Sequence, residues 1–203
     1  MGGPKAPFAL ASFALVLGVY ATPVQAQNVL MNSAETINDG NFKLAAFPTV
    51  LFGEGGAEDE WGVASRFGYG FTPRFDIEGK LAFFDGLTLY GADAELWLVR
   101  GEVDLSASLG LHRKDRSSGR DSTSIDTALL LSGHLTPRLE LYGGLSLGFE
   151  SVDDVSADFT RAYAVPGIEF RVSDDLDLLA EYGIGLNDDS PNYLSLGLAL
   201  YLR

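Results

Sequence analysis

From Asn41 to the end of the chain, apolar residues alternate with small or polar ones at a period of two. The last segment shows this best, because every second residue is a leucine. The leucines are Leu194, Leu196, Leu198, Leu200 and Leu202, and between them stand Tyr193, Ser195, Gly197, Ala199 and Tyr201. A period of two places alternate side chains on opposite faces of a strand. The pattern therefore predicts strands with one oily face and one small or polar face.

Ten such segments can be delimited, and their lengths suit strands that cross a bilayer at a tilt. Each apolar face can be chosen without a charged residue or a histidine. After residue 26 no uncharged run is long enough for a membrane helix, so a mature chain that spans a membrane must do so as a closed barrel. The expected fold is all-β: a transmembrane antiparallel up-and-down β-barrel of about ten strands, with eight as the alternative. The segments are 41–53, 60–71, 75–84, 87–98, 102–112, 124–135, 139–150, 159–172, 176–186 and 193–202.

Connections between the segments alternate in length. Those after the even-numbered segments are tight turns, such as the two Thr-Pro-Arg turns at 72–74 and 136–138. Those after the odd-numbered segments are mostly longer and polar, such as 113–123 and 151–158. Membrane barrels have short periplasmic turns and longer outer loops. We therefore expect the tight turns and both chain ends in the periplasm.

The choice between a membrane barrel and a soluble one depends on the face opposite the oily one. That face is rich in Gly and Ala, whereas a water-covered surface would carry more Lys and Glu. Aromatic residues on the oily face gather near the segment ends, as in the interfacial girdles of membrane barrels. These features predict an oily face in contact with lipid. The aromatic residues are Phe42, Phe52, Trp61, Phe71, Phe75, Phe83 and Phe149.

The N-terminal residues have the organisation of a secretory signal peptide. Lys5 precedes an apolar run from Phe8 to Tyr20, and Val24 and Ala26 stand at the −3 and −1 positions of a cleavage site before Gln27. The expected organisation is a signal peptide at 1–26, a periplasmic lead-in at 27–40 and an outer-membrane barrel domain at 41–203. Export by a cleaved signal peptide places the barrel in the cell outer membrane.

Three features together resemble the small porin-like outer-membrane proteins, the broad Gram-negative group that includes the opacity-type adhesins. They are the signal peptide, the run from Thr136 to Leu145 and the closing residues 196–203. The resemblance implies insertion by the barrel assembly machinery. That group commonly ends in Phe, whereas here the last residues are Leu202 and Arg203.

The face opposite the oily one carries most of the charge and should line the lumen. Ten strands leave less room than a porin of sixteen, so the lumen should be largely filled or narrowly porous. Its surplus of carboxylates would make any pore prefer cations. The expected inward acids are Asp76, Glu78, Asp93, Glu95, Glu102, Asp104, Asp126, Glu140, Glu150, Glu169, Asp177 and Glu181, facing Lys43, Arg66, Lys80, Arg161 and Arg171.

Partners follow from charge and from the lipid-facing surface. The net charge of −14 repels phosphates, so no nucleic-acid partner is expected. The expected partners are outer-membrane lipid, including lipopolysaccharide, and small cations, and the barrel is expected to be a monomer. The basic run 113–120 is a candidate contact for lipopolysaccharide phosphate, and the acidic runs at 58–60 and 153–154 are candidates for divalent ions, with solvated charge favoured for both. No cofactor is expected.

Enzymatic chemistry is not expected, and the alternative is a lipid or peptide hydrolase. Ser132, His134 and Glu140 should be neighbours on the lumen face, but they point inward at the periplasmic rim. Lipid hydrolases of the outer membrane, as the resemblance implies, act from the barrel exterior. Outer-rim acids such as Glu150, Asp126 and Asp153 match no protease motif. His112 is expected at the base of a loop, with no His or carboxylate partner at metal-like spacing. The sequence therefore yields no catalytic, cofactor-binding or metal-binding residues.

Overall fold

A computed structural model of the protein describes residues 32–53, 58–154 and 158–203. The chain forms ten antiparallel strands, each paired with the next along the sequence, and β1 pairs with β10 to close the barrel. The strands are β1 (Phe42–Leu51), β2 (Glu60–Thr72), β3 (Phe75–Phe84), β4 (Leu87–Val99), β5 (Asp104–Arg116), β6 (Ser122–Thr136), β7 (Leu139–Val152), β8 (Asp158–Ser173), β9 (Leu176–Gly185) and β10 (Tyr193–Leu202).

The strand count and the order of the strands confirm the predicted ten-stranded barrel, and closure leaves no strand edge unpaired. The main difference is β5, which was predicted at 102–112 and extends to Arg116. The signal peptide at 1–26 and residues 27–31 of the predicted lead-in lie outside the described residues. In the described parts of the chain, no helix is long and apolar enough to cross a membrane.

Tight connections lie at one end of the barrel, at 73–74, 100–103, 137–138 and 174–175; we name it the turn end. The chain enters β1 and leaves β10 at this end. The longer connections lie at the opposite, loop end, together with the two-residue connection 85–86. Four register shifts interrupt the ladders, and all four lie beside tight connections of the turn end, for example between Gly70 and Thr72. Pro48 of β1 and Pro166 of β8 each remove a ladder donor, and such prolines are usually found at bulges. The register is nevertheless the same on both sides of each proline, so neither marks a bulge.

The predicted oily face points outward. Leucines in mid-strand, such as Leu129 and Leu145, are more than half exposed, while the alternate residues are buried inside the barrel. Aromatic rings gather at the turn end, where Phe42, Tyr69, Phe71 and Phe75 contact one another in a row. A barrel with this outer surface is matched to a bilayer, whose hydrocarbon takes the place of water around the leucines.

Glycines on the inner face make room for aromatic rings from neighbouring strands. The ring of Tyr193 lies over Gly183 of β9, where an added Cβ would come within 1.7 Å of a ring carbon. The ring of Phe47 lies over Gly197 of β10 in the same way, at 1.9 Å. Close packing of this kind explains why the inner face is rich in small residues, and it fills one side of the lumen.

Candidate functional site

The charged lumen is the candidate functional site. The expected inward acids are buried, with the exception of Glu102, which is exposed beside a tight turn. Among the expected bases, Arg171 is only half-buried. Lys114 is a buried base that the sequence interpretation placed in an outer loop. In the described part of the chain, buried carboxylates outnumber buried Lys and Arg side chains.

Toward the loop end, several Lys and Arg side chains contact Glu150. Its Oε2 lies 2.5 Å from Lys114 Nζ and 2.7 Å from Arg161 Nη2, and its Oε1 accepts a hydrogen bond of 2.5 Å from the Ser122 hydroxyl. Arg116 Nη2 lies 3.3 Å from Oε1. The prediction of a basic loop at 113–120 was therefore wrong in part. Because β5 extends to Arg116, the side chains of Lys114 and Arg116 point into the lumen and not toward lipopolysaccharide.

In the middle of the barrel, His112 lies between two carboxylates. Its Nδ1 is 2.7 Å from Asp126 Oδ2, and its Nε2 is 3.4 Å from Asp93 Oδ1. Lys80 Nζ reaches the other oxygen of Asp93 at 2.7 Å. The prediction that His112 lies at the base of a loop was therefore wrong, because it is buried within β5 between two carboxylates. Gly110 of β5 provides the space, since a Cβ there would lie 2.1 Å from Asp93 Oδ1.

A third group of ionic contacts lies toward the turn end and is centred on Glu78. Its Oε2 lies 2.9 Å from Arg66 Nε, and its Oε1 lies 3.4 Å from Lys43 Nζ. Glu95 accepts a hydrogen bond of 2.5 Å from the Ser106 hydroxyl. These groups come from β1 to β5, so five strands share one polar layer.

The lead-in occupies the turn-end mouth of the lumen. Asn32 donates a hydrogen bond to Glu95 and accepts one of 2.7 Å from Lys43 Nζ, while Ala34 is fully buried. The backbone N–H of Ile37 donates a 2.7 Å hydrogen bond to Asp76 Oδ2. A non-alternating sequence gives no sign of such a position, because its few apolar residues do not reveal what they pack against. We call residues 32–38 the plug segment.

The backbone around Gly40 anchors the plug segment to the barrel wall. Asp39 forms an isolated parallel bridge with Gly70, and the Gly40 N–H donates to the Gly70 carbonyl at 2.9 Å. Gly40 has a φ of 78°, a conformation that glycine adopts without strain. The chain therefore turns sharply between the plug segment and β1.

The predicted trio meets at the turn-end rim. His134 pairs directly with Glu140 across β6 and β7, as expected, and Ser132 lies two residues away on the same face. Ser132 and Glu140 are buried, whereas the His134 side chain is 35% exposed. The plug segment adds a fourth group, since Glu35 Oε1 lies 3.7 Å from His134 Nδ1. Burial raises the pKa of Glu35 above its usual value, and the neighbouring His134 opposes that rise.

The acids considered for a protease, Glu150, Asp126 and Asp153, are held in ionic contacts. Glu150 and Asp126 are buried in the lumen. Glu150 contacts the Lys and Arg side chains described above, and Asp126 contacts His112. Asp153 lies in the connection after β7, and its Oδ2 is 2.6 Å from Arg113 Nη2. The hydrogen bond from Arg113 lowers the pKa of Asp153 below its usual value. These acids are therefore not free at an outer rim.

Comparison with known proteins gives matches among solved structures only. No family model matches the chain, and no curated protein does. An outer membrane channel from Pseudomonas putida F1 is 12% identical, over 86% of this chain and 100% of that one, with a TM-score of 0.55. OprG from Pseudomonas aeruginosa is 15% identical over 85% of this chain and 100% of that one, with a TM-score of 0.39. The Yersinia pestis outer membrane protein Ail is 13% identical over 81% of this chain and 100% of that one, with a TM-score of 0.44.

The architecture and the outward leucine surface define the class: the chain has the fold of a small outer-membrane β-barrel. Both the predicted resemblance and the predicted location in the outer membrane are confirmed. Its surroundings are the outer-membrane lipid.

Proposed function

We propose that this barrel, in the form described, is closed to larger solutes. The pathway left for ions is narrow and prefers cations. The observation that carries the proposal is the position of the plug segment across the turn-end mouth of the lumen. Asn32 and Ile37 bond to side chains of the wall, and Ala34 is inaccessible to solvent. A solute that enters from the turn end meets this segment first.

The preference for cations follows from the charge of the lumen wall. Buried carboxylates exceed buried Lys and Arg among the described residues, and a low-dielectric wall leaves such charges poorly screened. An anion would face this surplus along the pathway, whereas a small cation could exchange water for carboxylate oxygens. The same acids form ionic contacts with the bases, which keeps the pathway narrow.

Replacing Ile37 by Asp tests the proposal. The Ile37 side chain packs over Gly68 beside Glu78, and its N–H bonds to Asp76, so a carboxylate there would be repelled by two acids. We expect the wild-type protein in a planar lipid bilayer to show little or no conductance. Ile37→Asp should show larger single-channel conductance steps, with a current carried mainly by cations. Ile37→Val, which keeps an apolar side chain, should behave as the wild type does.

Large conductance steps in the wild type would contradict the closed state. A preference for anions in Ile37→Asp would contradict the inference that the lumen carboxylates select cations. If Ile37→Asp also fails to conduct, the channel proposal is wrong and a structural or interaction role remains.

We also propose that the chain is not an enzyme. In the described residues no hydrogen bond joins the Ser132 hydroxyl to His134, so His134 is not placed to take its proton. His134 contacts Glu35 instead. Ser132→Ala and His134→Ala should therefore leave lipid and peptide hydrolysis at the background rate measured for the wild type. Hydrolysis by the wild type that either substitution abolishes would support the hydrolase alternative.

A further inference from the structure

Three metal-binding side chains converge at the turn-end rim from three separate parts of the chain. Glu35 comes from the plug segment, His134 from the end of β6 and Glu140 from the start of β7. One nitrogen or oxygen atom from each lies within 4.8 Å of the other two. The β6–β7 register brings His134 and Glu140 together, while Glu35 arrives only because the plug segment crosses the mouth.

Glu140 is the least satisfied member of this group. Its side chain is buried, yet neither carboxylate oxygen accepts a hydrogen bond of normal geometry from the described residues. The Ser132 hydroxyl is close enough to interact with it, but no Lys or Arg forms an ion pair with it there. A buried carboxylate without a full set of partners is unfavourable, and a bound cation would remove that cost.

We propose that Glu35, His134 and Glu140 bind a divalent transition-metal ion of the zinc type. One imidazole nitrogen with two carboxylates suits zinc, whereas calcium and magnesium prefer sites made of oxygen alone. Ligand atoms around tetrahedral zinc lie about 3.3 Å apart, given metal–ligand distances of about 2.0 to 2.1 Å. The present spacing therefore needs only a small closure of the group.

Access and movement favour such a site. The side chains of Glu35 and His134 are about one third exposed, at 32% and 35%, so an ion can enter from the barrel mouth and both can move to meet it. Glu140 is held in the wall of the barrel. A water molecule would complete four-fold coordination on the exposed side.

A bound ion would join the plug segment to the β6–β7 hairpin. This goes beyond the proposed function, because metal binding is measured directly and does not depend on whether the barrel conducts. It also gives the plug segment an attachment to the wall in addition to its bonds to β1, β3 and β4.

The test is metal binding to the full-length folded protein in detergent micelles. Zn²⁺ is titrated by calorimetry, and Co²⁺ is used as a spectroscopic probe, because tetrahedral Co²⁺ absorbs strongly in the visible region. We expect one ion per barrel. His134→Ala and Glu140→Gln should each weaken binding by at least about 10-fold, a loss typical even of groups that only support a ligand. Asp174→Asn removes an exposed carboxylate from the same rim and should leave binding unchanged.

Glu35→Gln separates metal binding from folding of the wall. Glu35 lies outside the strand ladder, so this variant should keep the heat-dependent gel mobility of a folded barrel and still lose affinity at least about 10-fold. Stoichiometric binding that all three substitutions weaken supports the site. Absence of stoichiometric binding by the wild type, or an affinity equal to that of the wild type in any of the three variants, would overturn it.

Discussion

Replacement of Glu150 by Ala is expected to lower the free energy of unfolding by about 3 to 5 kcal/mol. Glu150 is buried, and the substitution removes the carboxylate from between Lys114 and Arg161. The two cations would then face each other in the lumen without the charge that offsets them. Removal of one partner from a buried ionic contact is costly for this reason. Urea unfolding in lipid vesicles, followed by gel mobility, measures the loss.

Asp153→Ala is the matched control, because it also removes a carboxylate from a close contact with an arginine. The contact between Asp153 and Arg113 lies at the surface, where water screens both charges. We expect little change in stability. If Glu150→Ala is as mild as this control, the lumen charges do not stabilise the barrel in the way that the structure indicates.

Leu129→Arg is the second substitution with a large expected effect. Leu129 is at the middle of β6 and more than half exposed on the outer surface, so a charge there would face the centre of the bilayer. The expected loss is about 2 to 4 kcal/mol, as found for arginine at the midplane of membrane barrels. The measurement is the same unfolding experiment in vesicles of defined thickness.

Leu135→Arg provides the comparison along the same strand and the same outer face. Leu135 lies near the turn end of β6, where the headgroups begin, and a charge near the interface costs only about 0 to 1 kcal/mol. A cost that does not fall from Leu129 to Leu135 would show that the bilayer does not cover the outer surface as inferred.

Much of the barrel could be read from local pattern. Ten runs of period two have a single interpretation as strands. Gly and Ala on one face of these strands indicated that this face lines the crowded interior of the barrel. The pairing of His134 with Glu140 was also accessible, because a tight turn leaves few possible registers. The end of β5 was missed because Lys114 and Arg116 continue the alternation with charges, which a single sequence cannot distinguish from a polar loop.

The lumen contacts could be predicted as a set but not as pairs. The carboxylate partners of His112 were not predicted, because Asp93 and Asp126 lie on the neighbouring strands β4 and β6. Their distances depend on how far each strand is shifted along its neighbour, and no short segment specifies that shift. The basic run at 113–120 was misread for a different reason: Lys114 and Arg116 belong to β5, whose end could not be distinguished from a polar loop.

The sequence by itself determined that this chain forms a barrel with leucines outside and acids inside, because a strand's two faces are set by alternation alone. Only the tertiary structure decided where the lead-in lies and which groups meet at the turn-end rim. Glu35 precedes His134 by nearly a hundred residues, and the two meet only after the barrel closes and the plug segment folds across its mouth. Such contacts depend on closure of the whole barrel, so no local pattern records them.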